Sequence, residues 1–277
     1  MQKKWPQIIK IEWLAAILFT LIFMIACGNS ETREDAKTPG SREPLRPEIA
    51  KGLKFLREDN YEEAMRTIFA VIAKNQDDTE ALSLMSYIYV KQDRLADAHS
   101  LAKRSLELDP DQAMPYVVQA RVNFQTSHFS KALDLARKAL LIDPETPLAY
   151  RVIGEVYLRQ GLNQDALAVL KEAVKLKPND PEIANLLGSG FIKAKQFKKA
   201  LPVLLKAQEI DPDLPGVHFN LALVYAHLQN GQKAIRHISR AELLYTQAEN
   251  KPWVGKTRDV RRVIAKKFKF TPDDVTS

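Results

Sequence analysis

The chain has 277 residues, 45% hydrophobic and 27% charged, a balance that excludes wholesale disorder. Its one cysteine, Cys27, excludes an internal disulfide framework. The net charge of +7 is local, because eight basic residues between Lys251 and Lys269 stand against Asp259 alone and the remainder sums to zero. The net charge is therefore no argument for a basic face along the rest of the chain; it describes a basic end.

At the amino terminus, Lys3, Lys4 and Lys10 precede an uncharged apolar run from Trp13 to Ala26, the pattern of an export signal. The run ends at Met24-Ile25-Ala26-Cys27 followed by Gly28. This resembles a bacterial lipobox, in which a small residue precedes an acylated cysteine, although Met24 stands where leucine is favoured. The resemblance implies that residues 1–27 are a lipoprotein signal peptide ending at a lipidated Cys27. Gly28 in place of an aspartate implies the periplasmic face of an outer membrane. The alternative is an uncleaved anchor in the cytoplasmic membrane, for which fourteen uncharged residues are short of the ~20 that a span needs. Both place the rest of the chain outside the cytoplasm. Residues 28–44 are polar, carry Pro39, Gly40 and Pro44, and read as a flexible tether with a span of about 20–25 Å.

From Leu45 to Ala248 one interval governs the chain. Ala64, Ala98, Ala132, Ala166, Ala200 and Ala234 recur every thirty-four residues, and Pro110, Pro144, Pro178 and Pro212 keep the same step. The expected repeats are 45–78, 79–112, 113–146, 147–180, 181–214 and 215–248. Numbered from 1 to 34, position 8 is always small, position 11 is aromatic in five repeats of six, and position 27 is small or Val71. Apolar residues at 4, 7, 8 and 11, then at 20, 21, 24, 27 and 28, follow helical spacing, so each repeat reads as two helices. Proline at 32 ends the second. Repeat 3 departs from the pattern with Gln119 and Asn123 at positions 7 and 11: either these amides find hydrogen-bond partners or the array is soft there.

The small residues at 8, 20 and 27, the aromatic at 11 and the proline at 32 resemble the tetratricopeptide repeat. The resemblance implies an all-α, right-handed superhelical solenoid of six helix-turn-helix repeats, whose first helices line a concave groove through positions 2, 5, 9, 12 and 13. The groove residues so implied are Tyr87, Lys91, Arg121, Phe124, Gln125, Arg151, Glu155, Leu158, Arg159, Asn185 and Lys193. Cations at position 13, among them Lys91, Arg159 and Lys193, form either a track for an acidic segment or an offset to the helix macrodipole, each worth ~0.3–1 kcal/mol. Arg121 and Arg151 lie too far from a helix end for the second account, though Arg151, Glu155 and Arg159 have the four-residue spacing of pairs along one helix. The family's carboxylate clamp needs asparagines at positions 6 and 9, and only Asn220 occupies either column.

No catalytic constellation accompanies these features. The five histidines lack paired-ligand spacing, and no nucleophile-elbow or phosphate-loop pattern occurs. A non-enzymatic protein without metal or cofactor is expected, since an envelope hydrolase or transferase would need a site that the sequence does not display. Nucleic acid is a poor partner for an exported chain. Residues 249–277 carry Trp253, Val260, Val263, Ile264 and Phe268 at helical spacing among the basic cluster, followed by a short tail. That helix either caps repeat 6 or also touches anionic lipid, wall polymer or an acidic partner. The whole resembles the tetratricopeptide lipoproteins of type IV pilus and secretin assembly, and an adaptor for peptidoglycan-remodelling enzymes is the alternative. Oligomeric state is not encoded in any of these patterns.

Overall fold

A computed structural model describes residues 46–58 and 60–270. The leader, Cys27, the tether and the tail after Phe270 lie outside the described residues. Thirteen helices and no strand are present among those described. Six hairpins follow one another: α1 (Pro47–Arg57) with α2 (Tyr61–Lys74), α3 (Thr79–Lys91) with α4 (Leu95–Leu108), and α5 (Ala113–Gln125) with α6 (Phe129–Ile142). Then come α7 (Pro147–Gln160) with α8 (Asn163–Leu176), α9 (Pro181–Lys193) with α10 (Phe197–Ile210), α11 (Pro215–His227) with α12 (Gly231–Gln247), and finally α13 (Lys251–Phe268). The all-α superhelical solenoid expected from the repeat pattern is the observed fold.

Packing explains the recurring small residues. All six alanines of position 20 are 0% exposed, at the contact between paired helices. Position 8 faces position 24 of the same hairpin: a Cβ on Gly52 would lie 2.6 Å from Ile68 Cδ1, and one on Gly154 would lie 2.5 Å from Leu170 Cδ2. In repeats 2 and 3, where position 8 is Ser86 and Ala120, position 24 is Ala102 and Ala136, whereas repeat 6 buries Ile238 beside Ala222. In repeats 1 to 5, then, a larger residue at one of the two positions goes with a smaller one at the other, as close packing favours.

The turns repeat as well. Position 15 has a left-handed backbone at Asp93, Ser127, Gly161, Lys195 and Gln229. The next N–H reaches back to the carbonyl of position 11, as from Arg94 to Tyr89 at 2.9 Å and from Gln196 to Phe191 at 2.8 Å. This is the Schellman closure of a helix end, which orders the hairpin by satisfying carbonyls that the helix leaves open. At the other junction, the carboxylates of Asp109, Asp143 and Asp211 accept from the N–H two residues on, at 3.0, 3.0 and 2.9 Å, turning the chain at each Asp-Pro step.

Repeat 3 is satisfied. Gln119 donates to the His99 carbonyl and Asn123 to the Gln119 carbonyl, both at 2.8 Å. Helix α13 packs on α12 through Trp253, which stacks on Tyr245 at 5.1 Å and meets Phe219 edge-on at 5.3 Å. Consecutive first helices touch each other along the stack, which draws them onto the inner wall. The groove follows from that asymmetry.

Candidate binding groove

Four consecutive first helices, α3, α5, α7 and α9, enclose a cavity of about 260 Å³ on the inner wall. Tyr87, Lys91, Arg121, Gln125 and Arg151 line it, as the column positions predict, beside an apolar flank of Val117, Val118, Leu148 and Val152. Glu182, at position 2 of repeat 5, and Asp93, in the turn after α3, also line it. Neither was singled out by sequence reasoning. Position 2 belongs to the groove columns, and that was the available signal for Glu182.

The charges do not stand free. Arg121 ion-pairs with Glu155. Glu155 accepts from Arg151 Nε at 3.2 Å, Arg151 reaches on to Glu182, and Glu182 takes Lys91 Nζ at 3.3 Å. This is one chain of alternating charge through repeats 2 to 5. Arg121 and Arg151, which the helix dipole did not account for, are thus compensated by Glu155 and Glu182, while Asp93 accepts from Gln125 at 3.4 Å. The four-residue pairing holds for Arg151 with Glu155 and does not extend to Arg159.

The network fixes protonation. Burial opposes ionisation of Glu182, but Arg151 and Lys91 outweigh it and hold the carboxyl down at about 2. Burial likewise works against the Arg151 cation, while Glu155 and Glu182 keep it charged. Burial raises the Tyr87 phenol above its ordinary value, so the hydroxyl stays protonated and able to donate at neutral pH. A site of fixed donors and acceptors over an apolar flank suits a polypeptide segment with both polar and apolar groups.

The remaining groove residues continue the wall toward repeat 6. Phe124 is half-buried, with the Arg121 and Arg159 guanidinium groups 5.4 and 5.9 Å from its ring centre. Asn185 accepts from Asn220 at 2.8 Å, and Lys193 Nζ donates to the Leu158 carbonyl at 3.0 Å. Leu158 itself is a correction: it is 5% exposed in the largest apolar core. Gly190 of the next first helix faces Leu167 and Leu158 there, a Cβ on it falling 3.2 Å from Leu167 Cδ2.

Among the described residues, no three His, Cys, Asp or Glu side chains gather as metal ligands, and no helix is long and apolar enough to cross a membrane. Fold and groove define a helical repeat scaffold. Residues 124–189 and 165–215 match two family models, each described as tetratricopeptide repeat, so the chain carries repeats of this protein-interaction type. No curated protein matches the sequence.

Solved structures share the fold. A chain of the APC/C hetero-tetramer Cut9-Hcn1 aligns with a TM-score of 0.65 and 19% identity over 78% of this chain and 42% of that one. The present chain thus spans less than half of that protein's length. Pseudomonas aeruginosa pilF aligns with a TM-score of 0.55 and 14% identity, over 74% of this chain and 96% of that one. TTC0263, a thermophilic TPR protein of Thermus thermophilus, gives 0.53 and 21%, over 61% and 93%.

Proposed function

We propose that the protein is a non-enzymatic, lipid-anchored adaptor that holds another cell-envelope protein in its concave groove, in the assembly of a type IV pilus or its secretin. The observation that carries the reading is the cavity on the inner wall, lined by Tyr87 and by ion-paired side chains that are already held in place. Preordered polar groups lose little entropy when a segment binds. The export pattern and Cys27 support the envelope address, and the fold shared with pilF is compatible with a pilus role.

Two measurements test it. Cys27→Ala should abolish fatty-acid labelling and leave the precursor; labelling that persists refutes the lipid anchor. Tyr87→Phe should leave the unfolding midpoint unchanged while weakening co-purification of the envelope partner, by about 0.5–1.5 kcal/mol for one hydrogen bond. Unaltered co-purification would remove the cavity from the interface.

A further inference from the structure

The inner wall has a second charged region, and its chemistry differs from that of the ion-paired cavity. Arg159 lies in the last turn of α7, Lys193 ends α9, and both side chains are exposed, as is that of Lys256 on α13. Lys193 Nζ sits on the carbonyl of Leu158, the residue preceding Arg159, so the two cations are neighbours. Lys256 Nζ lies 4.0 Å from the Trp253 ring centre and 5.1 Å from that of Phe219, a position-5 residue of repeat 6. The capping helix therefore places a cation over the groove columns. Among the described residues, no carboxylate pairs with any of the three.

Burial and the neighbouring charges of Lys193 and Arg159 both push the Lys256 ammonium below the usual lysine range. Like charges held together without a counter-charge raise the free energy of the unliganded groove, and an incoming anion relieves it. Such a site gains more from an acidic ligand than the balanced cavity does.

We infer that Arg159, Lys193 and Lys256, flanked by Phe124, Phe219 and Trp253, form an anion-recognising end of the groove that takes an acidic polypeptide segment, and that α13 serves as part of the binding wall as well as a cap. This rests on the adaptor reading and names the chemistry of its partner. A segment, and not a flat lipid surface, fits because the three cations come from different helices along a concave wall. The acidic part of the segment lies at repeats 4 to 6, with its polar and apolar part continuing into the Tyr87 cavity.

The test uses the full chain in detergent and a fluorescein-labelled decaglutamate peptide, read by anisotropy at low salt. Arg159→Glu/Lys193→Glu/Lys256→Glu should weaken binding by about tenfold or more. Arg262→Glu/Lys266→Glu/Lys269→Glu, which reverses three other exposed cations of the same region, should change it less than about twofold. Arg159→Gln/Lys193→Gln/Lys256→Gln, with unchanged circular dichroism, should show an intermediate loss. Equal losses in the two reversal triples would overturn the site. Phosphatidylglycerol vesicles whose binding is abolished by the groove triple would overturn it too, in favour of a lipid surface. Failure here with Tyr87→Phe still weakening partner capture removes this inference alone; an inert Tyr87→Phe with the anion site intact removes the Tyr87 cavity from the interface.

Discussion

Lys91 and Glu182 stand 91 residues apart in the chain, yet the ammonium lies 3.3 Å from both carboxylate oxygens. Superhelical curvature brings the end of α3 to the start of α9, so the bridge closes the cavity across three repeat boundaries. With its carboxyl held at about 2, Glu182 has a depressed pKa, and its contribution is present above the ordinary carboxylate range and lost as pH falls toward 2. Glu182→Gln should cost about 1 kcal/mol in urea unfolding, discounted for partial exposure. Carbon-detected NMR should find the carboxyl ionised at pH 4; titration near 4.5 would mean the bridge does not form.

The Gly154–Leu170 contact predicts a coupled pair. Gly154→Ala forces a Cβ to 2.5 Å from Leu170 Cδ2 and should cost about 1–3 kcal/mol. Leu170→Ala opens a cavity at a side chain that is 0% exposed and should cost about 2–5 kcal/mol. The double variant reproduces the alanine pair of repeat 3, Ala120 and Ala136, and should lose less than the sum of the two. Additive losses in a double-mutant cycle would contradict the size compensation.

The left-handed turn column predicts a stabilising change. Lys195 has φ +58, a region in which a Cβ is strained and glycine is not. Lys195→Gly should raise stability by about 0.5–1 kcal/mol, offset in part by the freer unfolded chain. Gly161, at φ +78, is the natural precedent in repeat 4. A lower melting temperature for the variant would count against the turn geometry.

Acid should weaken the carboxyl-terminal hairpin through His237. His218 Nε2–H donates to the Pro212 carbonyl at 2.8 Å, which leaves its Nδ1 to accept from His237 Nδ1–H at 3.0 Å. His237 also stacks on Tyr225, and burial, His218, Arg236 and Lys233 hold it down at about 4. The unfolded chain protonates this ring near 6.5, so it binds the extra proton between 6.5 and 4, and stability falls as pH drops through that window. The shift corresponds to about 3 kcal/mol, and solvent screening of the partly exposed ring reduces the loss to about 1–2 kcal/mol. Urea midpoints at pH 7 and 5 should differ more for the natural chain than for His237→Gln; equal differences would show that the ring is not the sensor.

The hairpins were legible because a thirty-four-residue alanine interval can be met only by stacked copies whose helices approach at that residue. Tyr87, Lys91, Arg121, Gln125 and Arg151 were legible for the same reason, since a column position settles which wall a side chain starts from. Where a long side chain ends is a matter of curvature: Lys91 finds Glu182 three repeats on, and no local pattern encodes that distance. Leu158 was misplaced because its column borders both groove and core, and its packing in the apolar cluster with Leu167 puts it in the core. Lys256 lay outside the repeat register altogether. The turn column at position 15 escaped notice because only Gly161 advertises it, while Asp93, Ser127, Lys195 and Gln229 adopt the same backbone without glycine.

Photocrosslinking in living cells tests the central claim most directly, with a benzophenone side chain placed at Gln125 on the cavity wall or at Leu141, which is 84% exposed on a second helix. The account predicts an adduct with one envelope protein from Gln125 and none from Leu141. The same adduct from Leu141, with none from Gln125, would contradict it.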